Sequence, residues 1–256
     1  MPKTAIDHFN QDIARASALV THVDSLPTAT DLQLRSDILR SAWMFAVGAL
    51  DAYFCDAYTD LVAATIISKS RQPSMALPDF FYEVKFPVRA ILEPYDNNEN
   101  WRWRMAARQM MERENILKLE TIRSFFNKFF RKDRKFFHNL LADWIVKPNA
   151  KKRLFGISSI AFTGLASQEQ SKAVHAAWDQ MQERYRTIFQ RRHDCIHNCD
   201  RPKVSPQPLK RSGTVLKVIQ DIEFLVVHSD QHICAEFREF LFSCGCTTAT
   251  IAQAGY

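Results

Sequence analysis

Apolar residues recur at helical spacing over long stretches of this chain, and that periodicity restricts the fold more than any other feature. Leu34, Ile38, Trp43, Ala46, Val47, Leu50, Phe54, Ala57 and Leu61 follow the three-and-four step that lines one face of an α-helix. The spacing predicts a helix from near Thr30 to about Ser70, with Thr30 as its cap and Asp31 in its first turn. Few polar residues interrupt its middle, so the helix is expected to be central and buried on most sides. Its rings (Trp43, Phe45, Tyr53, Phe54, Tyr58) are assigned to the core. Only 6 glycines occur in 256 residues, and alternating runs and tight turns are few, which disfavours a sandwich or barrel. The fold class predicted is all-α.

The same reading places a first helix from about Thr4 to about Val23, broken at Leu26-Pro27. Pro73, Pro78, Pro87 and Pro94 punctuate the next segment, and Asp96 to Asn100 reads as an exposed loop. After a break at Lys147-Pro148-Asn149 comes a short segment rich in Ile, Phe and Ser. A long helix is predicted from about Ser167 to about Asn198, with Ser167 and Gln170 at capping-box spacing. Val174, Trp178, Met181, Tyr185, Ile188 and Phe189 are its buried stripe, and Cys199-Asp200-Arg201-Pro202 ends it. Pro206, Pro208 and Gly213 make the next connection, a last helix runs from about Thr214 to Ser243, and the tail after Gly245 is expected to fray. The whole is read as one domain, 1–256, with 73–162 as a basic helical insertion.

The formal net charge of +6 is unevenly distributed. Trp101 to Arg153 holds fifteen Lys/Arg against five Asp/Glu, a local net of +10, and the remainder holds 19 basic and 23 acidic residues, a net of −4. Such a block suits a polyanion, or is simply a solvated basic surface. Arg102, Arg104, Arg131, Lys132, Arg134 and Lys135 are candidate RNA contacts. The phenylalanine pairs interleaved with them are assigned to the core, with the cations reaching outward. The start of the chain lacks an apolar leader segment, and Ala42 to Leu50 is short of the ~20 apolar residues that span a bilayer. The six scattered cysteines are read as reduced thiols. The expectation is a cytoplasmic protein without a membrane partner.

Chemistry concentrates in Arg191-Arg192-His193-Asp194-Cys195-Ile196-His197-Asn198. One reading is RNA cleavage without metal. A histidine, with an unperturbed pKa of ~6.5, deprotonates the 2′-hydroxyl or protonates the leaving oxygen, while an arginine stabilises the phosphorane. Arg192 and His197 stand about 140° apart on a regular helix, so their convergence needs an unwound helix end, a bent arginine or a second chain. A second reading is a zinc hydrolase using His193 and His197, four apart and able to share a metal. Its third ligand would be His175, His228, His232 or a distant carboxylate, with Cys195 and Cys199 as further donors; the flanking arginines oppose a dication. A third reading is structural: such clusters complement the negative end of a helix dipole. Arg191 is taken as a solvated neighbour, and Cys195 and Ile196 as packing residues. His8, His22, His138, His175, His228 and His232 are assigned to surface or core.

The segment from Arg192 to His197 resembles the Arg-x4–6-His signature of HEPN domains, with His193 in the position after arginine that the family fills with Asn, Asp or His. HEPN domains are helical bundles with this motif late in the chain, near a helix end. Gly48-Ala49-Leu50-Asp51-Ala52-Tyr53 is similar to their long early helix, from which an acidic residue often faces the motif; Asp51 and Asp56 are candidates for that role. The resemblance covers the outer two thirds of the chain and leaves Pro73 to Phe162 outside it. It implies a bundle of long antiparallel helices, a homodimer with a composite cleft, metal-independent endoribonuclease activity leaving a 2′,3′-cyclic phosphate, and a part in toxin–antitoxin or anti-phage defence, with a neutralising or defence-system partner. Some members only bind nucleotides or partners. The resulting expectation makes His197 the principal acid or base, Arg192 the phosphate contact and His193 a positioning or proton-sharing group. Asp194 and Asn198 support them, and no metal or cofactor is needed.

Overall fold

The computed structural model describes residues 2–27, 29–92, 99–111, 114, 116–137, 139–198 and 208–254, with side chains at all of these except 2, 3, 90, 91, 99, 100 and 198. The fold is all-α, and no strand occurs among the described residues. In chain order the helices are α1 (Pro2–Ser25), α2 (Leu32–Arg71), α3 (Asp79–Tyr82), α4 (Val88–Leu92), α5 (Glu99–Met111), α6 (Leu119–Phe126), α7 (Leu141–Ile145), α8 (Lys152–Phe155), α9 (Ser159–Thr163), α10 (Ser167–Asn198), α11 (Ser212–Ser243) and α12 (Thr248–Gln253). A 3-10 turn at Lys132–Arg134 lies between α6 and α7.

The three long helices fall where periodicity places them, but Phe45, read as core, is 41% exposed, and Val174 and Trp178 of the α10 stripe are only half-buried, because no neighbouring element covers them fully. Further differences lie at the helix ends. Asp31, not Thr30, caps α2: its carboxylate accepts the Gln33 N–H at 2.8 Å, two residues on, where a cap must reach. At α10 the reciprocal bond runs from the Ala166 N–H to Glu169 (3.3 Å), one position before the Ser167–Gln170 box. Gln170 instead donates to the carbonyls of Phe162 and Leu165. Glu99 and Asn100, expected in a loop, open α5; the preceding residues 96–98 lie outside the described residues, as do Cys199 to Pro202, Pro206 and His138. The tail, expected to fray, is helical from Thr248 to Gln253. Thr247 caps α12 by accepting the Thr250 N–H, and Ile251 is buried, which fixes the last turn.

Packing divides the chain into two compact units. The first comprises Met1–Ile6, Ala52–Phe136 and Ser229–Tyr256, and the second Asp7–Asp51 and Phe137–His228. Residues 73–162 are shared between them.

In the first unit, residues 57–65 of α2 are buried in unbroken succession, so the helix has no solvent face there. Tyr58 meets Phe125, Phe126 and Phe129 edge-on at 4.8–5.8 Å, and Phe129 meets Phe237 and Phe240. The phenylalanine pairs are therefore core. His232 belongs to it too, in edge contact with Phe130 and hydrogen-bonded at 2.7 Å to the Arg134 carbonyl. Two acids are buried with the rings. Glu236 is held by Arg131 through two bonds (2.9 and 3.0 Å) and by Arg134 (3.3 Å). Burial alone would raise its carboxyl, but the Arg131 bonds outweigh that and hold it below the usual range. Asp60 has Arg104 at 2.6 Å, yet neither carboxylate oxygen is aligned for a hydrogen bond. Burial, partly offset by Arg104 and reinforced by Asp56, pushes the Asp60 carboxyl up to about 7.

In the second unit, the fully buried Asp221 of α11 receives Arg153 from α8 and Arg184 from α10, each at 2.8 Å. The Tyr185 hydroxyl donates to the Asp221 carbonyl. Phe155, Phe224 and Trp144 pack alongside, and Phe137 stacks on Trp178 at 5.2 Å. Phe137 sits at φ +59°, a left-handed conformation that costs about 1–2 kcal/mol in an ordinary residue. Burial of its ring between Trp144 and Trp178 offsets that cost.

Apolar character in α2 extends beyond Ala42 to Leu50. By length and composition it is the one helix among the described residues apolar enough to cross a membrane, but over half of its most apolar window (56%) is buried inside the fold, as in a core helix.

Two outcomes follow. Asp221→Ala leaves two guanidiniums without their carboxylate and is expected to destabilise the protein by about 3–5 kcal/mol, read from urea unfolding. Asp60 binds its proton more tightly folded than unfolded, so stability falls as pH rises from ~4, the unfolded value, towards about 7. Relative to the wild type, Asp60→Asn should therefore gain thermal stability at pH 8 and show no such gain near pH 4.

Candidate functional site

The motif rides on the last turns of α10, which stays a regular helix through Asn198. Unwinding at His197 is thus not how Arg192 and His197 meet. At about 100° per residue the two project about 140° apart, whereas His193 and His197 differ by about 40°. The two imidazoles lie side by side, ring centroids 4.3 Å apart and tilted by 44°, and both are exposed. Ile196 shares their face and is 48% exposed. It does not serve as a packing residue, because positions 193, 196 and 197 follow the three-and-four step along the solvent side.

Arg192 lies on the opposite side, where it prolongs the buried stripe of Ala177, Met181, Tyr185, Ile188 and Phe189. It is half-buried, as are Asp194, Cys195 and Arg191. Arg191 is therefore not a solvated neighbour, since the same helix face carries it inward. The sequence placed Trp43 in the core but missed the role of its N–H. The indole donates at 3.0 Å to the Ile188 carbonyl, one turn before Arg192, and so ties α2 to this part of α10.

Asp51 of α2 is the acidic residue that Arg192 acts on. Burial raises the Asp51 carboxyl, and the Arg192 charge partly counters this through space. Asp194 accepts a bond from Gln190 at 2.9 Å along its own helix. The Asn198 side chain and Cys199 lie outside the described residues. Asp56 belongs to the first unit and pairs with Arg108 at 3.2 Å.

No set of three His, Cys, Asp or Glu converges among the described residues. Of the third ligands considered for a zinc site, His175 is exposed, His228 is bonded to Asn149 at 3.1 Å, and His232 lies in the aromatic core of the first unit.

The candidate RNA contacts divide by partner. Arg104, Arg131 and Arg134 are ion-paired to the buried carboxylates Asp60 and Glu236. Arg102 is half-buried, with its Nε enclosed. Lys135 donates to the Asn127 carbonyl, and burial followed by the charge of Lys132 lowers its pKa. Lys132 is exposed.

No family model, curated protein or solved structure matches this chain.

The action of Arg192 on Asp51 is directly measurable. Replacing Arg192 with Gln removes the charge that partly counters the burial of Asp51, so the Asp51 midpoint in a carbon-detected NMR titration should move further up; Arg192→Lys should largely preserve it. An unchanged midpoint in Arg192→Gln would separate the two residues.

Proposed function

We propose that this chain is a metal-independent endoribonuclease of the HEPN type, with His193, His197 and Arg192 as its reacting groups. The observation that supports it is the exposed imidazole pair at the end of α10, two acid–base groups with ring centroids 4.3 Å apart, on a helix turn whose other face carries the half-buried Arg192. Attack of a ribose 2′-hydroxyl on the adjacent phosphate needs a base at the hydroxyl and an acid at the departing 5′-oxygen. Two imidazoles on one helix face supply both, and the products are a 2′,3′-cyclic phosphate and a 5′-hydroxyl. Arg192 supplies the fixed positive charge for the phosphorane. Because it points away from the imidazoles of its own helix, the reading requires two chains meeting at this helix end, the guanidinium of one facing the imidazoles of the other. In a cell, such an activity fits a toxin or defence nuclease restrained by a partner.

The divergence of Arg192 from His197 also favours a second reading, an RNA- or partner-binding module without turnover. Incubation with RNA in EDTA distinguishes them. The nuclease yields cyclic-phosphate ends by mass spectrometry, and His197→Ala and Arg192→Ala each lower the rate by about 10²–10⁴-fold. Binding without cleavage, or cleavage unchanged in His197→Ala, sinks the nuclease reading. Expression of the wild type should arrest growth, and expression of His197→Ala should not.

A further inference from the structure

The chain leaves α11 through a reverse turn built on one glycine. The Cys246 N–H donates to the Leu241 carbonyl (3.0 Å) and the Gly245 N–H to the Phe242 carbonyl (2.9 Å), while Gly245 takes φ +86°. This is the Schellman arrangement, in which the residue after the glycine folds back over the third residue from the helix end. Cys246 therefore closes over Leu241. Cys244, three residues after Leu241, lies on that same helix face. Both cysteines are buried, 4% and 5% exposed.

A second segment is clamped against them. The Ala76 N–H donates to the Cys244 carbonyl at 2.9 Å, and the Gln72 amide donates to the Gly245 carbonyl at 2.6 Å. Gln72 also accepts from the Thr247 N–H at 2.9 Å. The clamp seats Met75, which is 1% exposed, with its Sδ 3.4 Å from Cys246 Sγ. Cys246 Sγ and Met75 Sδ, from two separate segments, thus meet in the interior, with the buried Cys244 two residues away along the turn. Thiolate and thioether donors together select soft ions such as Cu(I). The exposed backbone of Gly245 lies between the two cysteines.

We propose that Cys244, Cys246 and Met75 form a sulfur-only site for a soft monovalent cation, Cu(I). The two cysteines bind as thiolates, each releasing its proton to solvent, and Met75 is the neutral third donor; no electron is transferred. Because each cysteine must lose its proton to bind, uptake weakens as pH falls.

The test is an anaerobic titration of the reduced full-length chain with cuprous ion against the chelator bicinchoninate. One ion per chain should transfer to the protein, with a shell of sulfur alone by X-ray absorption. Cys244→Ala and Cys246→Ala should each abolish transfer. Met75→Leu, which preserves core volume, should weaken it about tenfold, while Cys55→Ser and Cys234→Ser leave it intact. The proposal is overturned if bicinchoninate keeps all the copper, if the shell contains nitrogen, or if the chain lacking Cys244 and Cys246 binds as tightly as the wild type. It is equally overturned if the pair forms only a disulfide in air and takes up no copper when reduced. Should either alanine variant fail to fold, the wild-type titration and Met75→Leu still decide it.

Discussion

A carboxylate with no access to water is the constraint around which the second unit is organised. Asp221 is fully buried, and an unpaired ion in that position would cost several kcal/mol. Its charge is tolerable only because Arg153 and Arg184 both reach it, and their reach fixes α8 and α10 against α11. The Tyr185 hydroxyl and the Trp43 indole add bonds within the next turn of α10. Pairs of this kind contribute little net stability compared with apolar residues of the same volume; their value is that misregistered packings leave a charge stranded. Here the consequence extends to the Arg192–His197 segment, because the register fixed at positions 184–188 determines which residues of the turns that follow face inward. Arg192 is inward and His193 and His197 are outward for that reason.

The same constraint explains the uneven charge of the sequence. Arg104, Arg108, Arg131, Arg134 and Arg153 all come from the basic block, and each reaches a carboxylate outside it: Asp60, Asp56, Glu236 and Asp221. The +10 of the block and the −4 of the remainder are to that extent two halves of one set of tertiary ion pairs. A basic segment in sequence is thus not the same thing as a basic surface, since pairing with distant acids consumes much of the field that would attract a polyanion. Lys132, exposed and unburdened by a buried acid, is the kind of residue that still contributes to such a field.

How much of this was legible in the sequence follows from the range of the interactions concerned. Helical periodicity is local, and it located α2, α10 and α11 and most of their buried positions; it cannot tell where a face runs out of neighbours, so Leu34 and Phe45 are exposed and Val174, Trp178 and Phe125 only half-buried. Caps depend on single hydrogen bonds, so Asp31 and Ala166–Glu169 fell one residue from the positions inferred. The tail was misjudged because its composition is small and polar, while its order comes from Thr247 and from tertiary burial of Ile251. Arg191 and Ile196 were misplaced by one step of helical rotation, which carries a residue about 100° around the axis and so exchanges inside for outside. Asp51 was selected by its place on α2, and its coupling to Arg192 needed coordinates to appear.

The arrangement at the end of α10 carries its own argument about what the chain can do alone. General acid–base catalysis of phosphate cleavage needs the proton-transferring groups and the electrophile about 3 Å from one reacting centre. One chain presents two imidazoles to solvent and turns its arginine toward Asp51, so acid–base capacity and positive charge lie on different faces of the same helix. Bending Arg192 around the helix would take from Asp51 the charge that partly counters its burial. On the proposed reading, a complete set of groups at one phosphate would therefore need a body that spans both faces, and a second copy of the same helix end would be one.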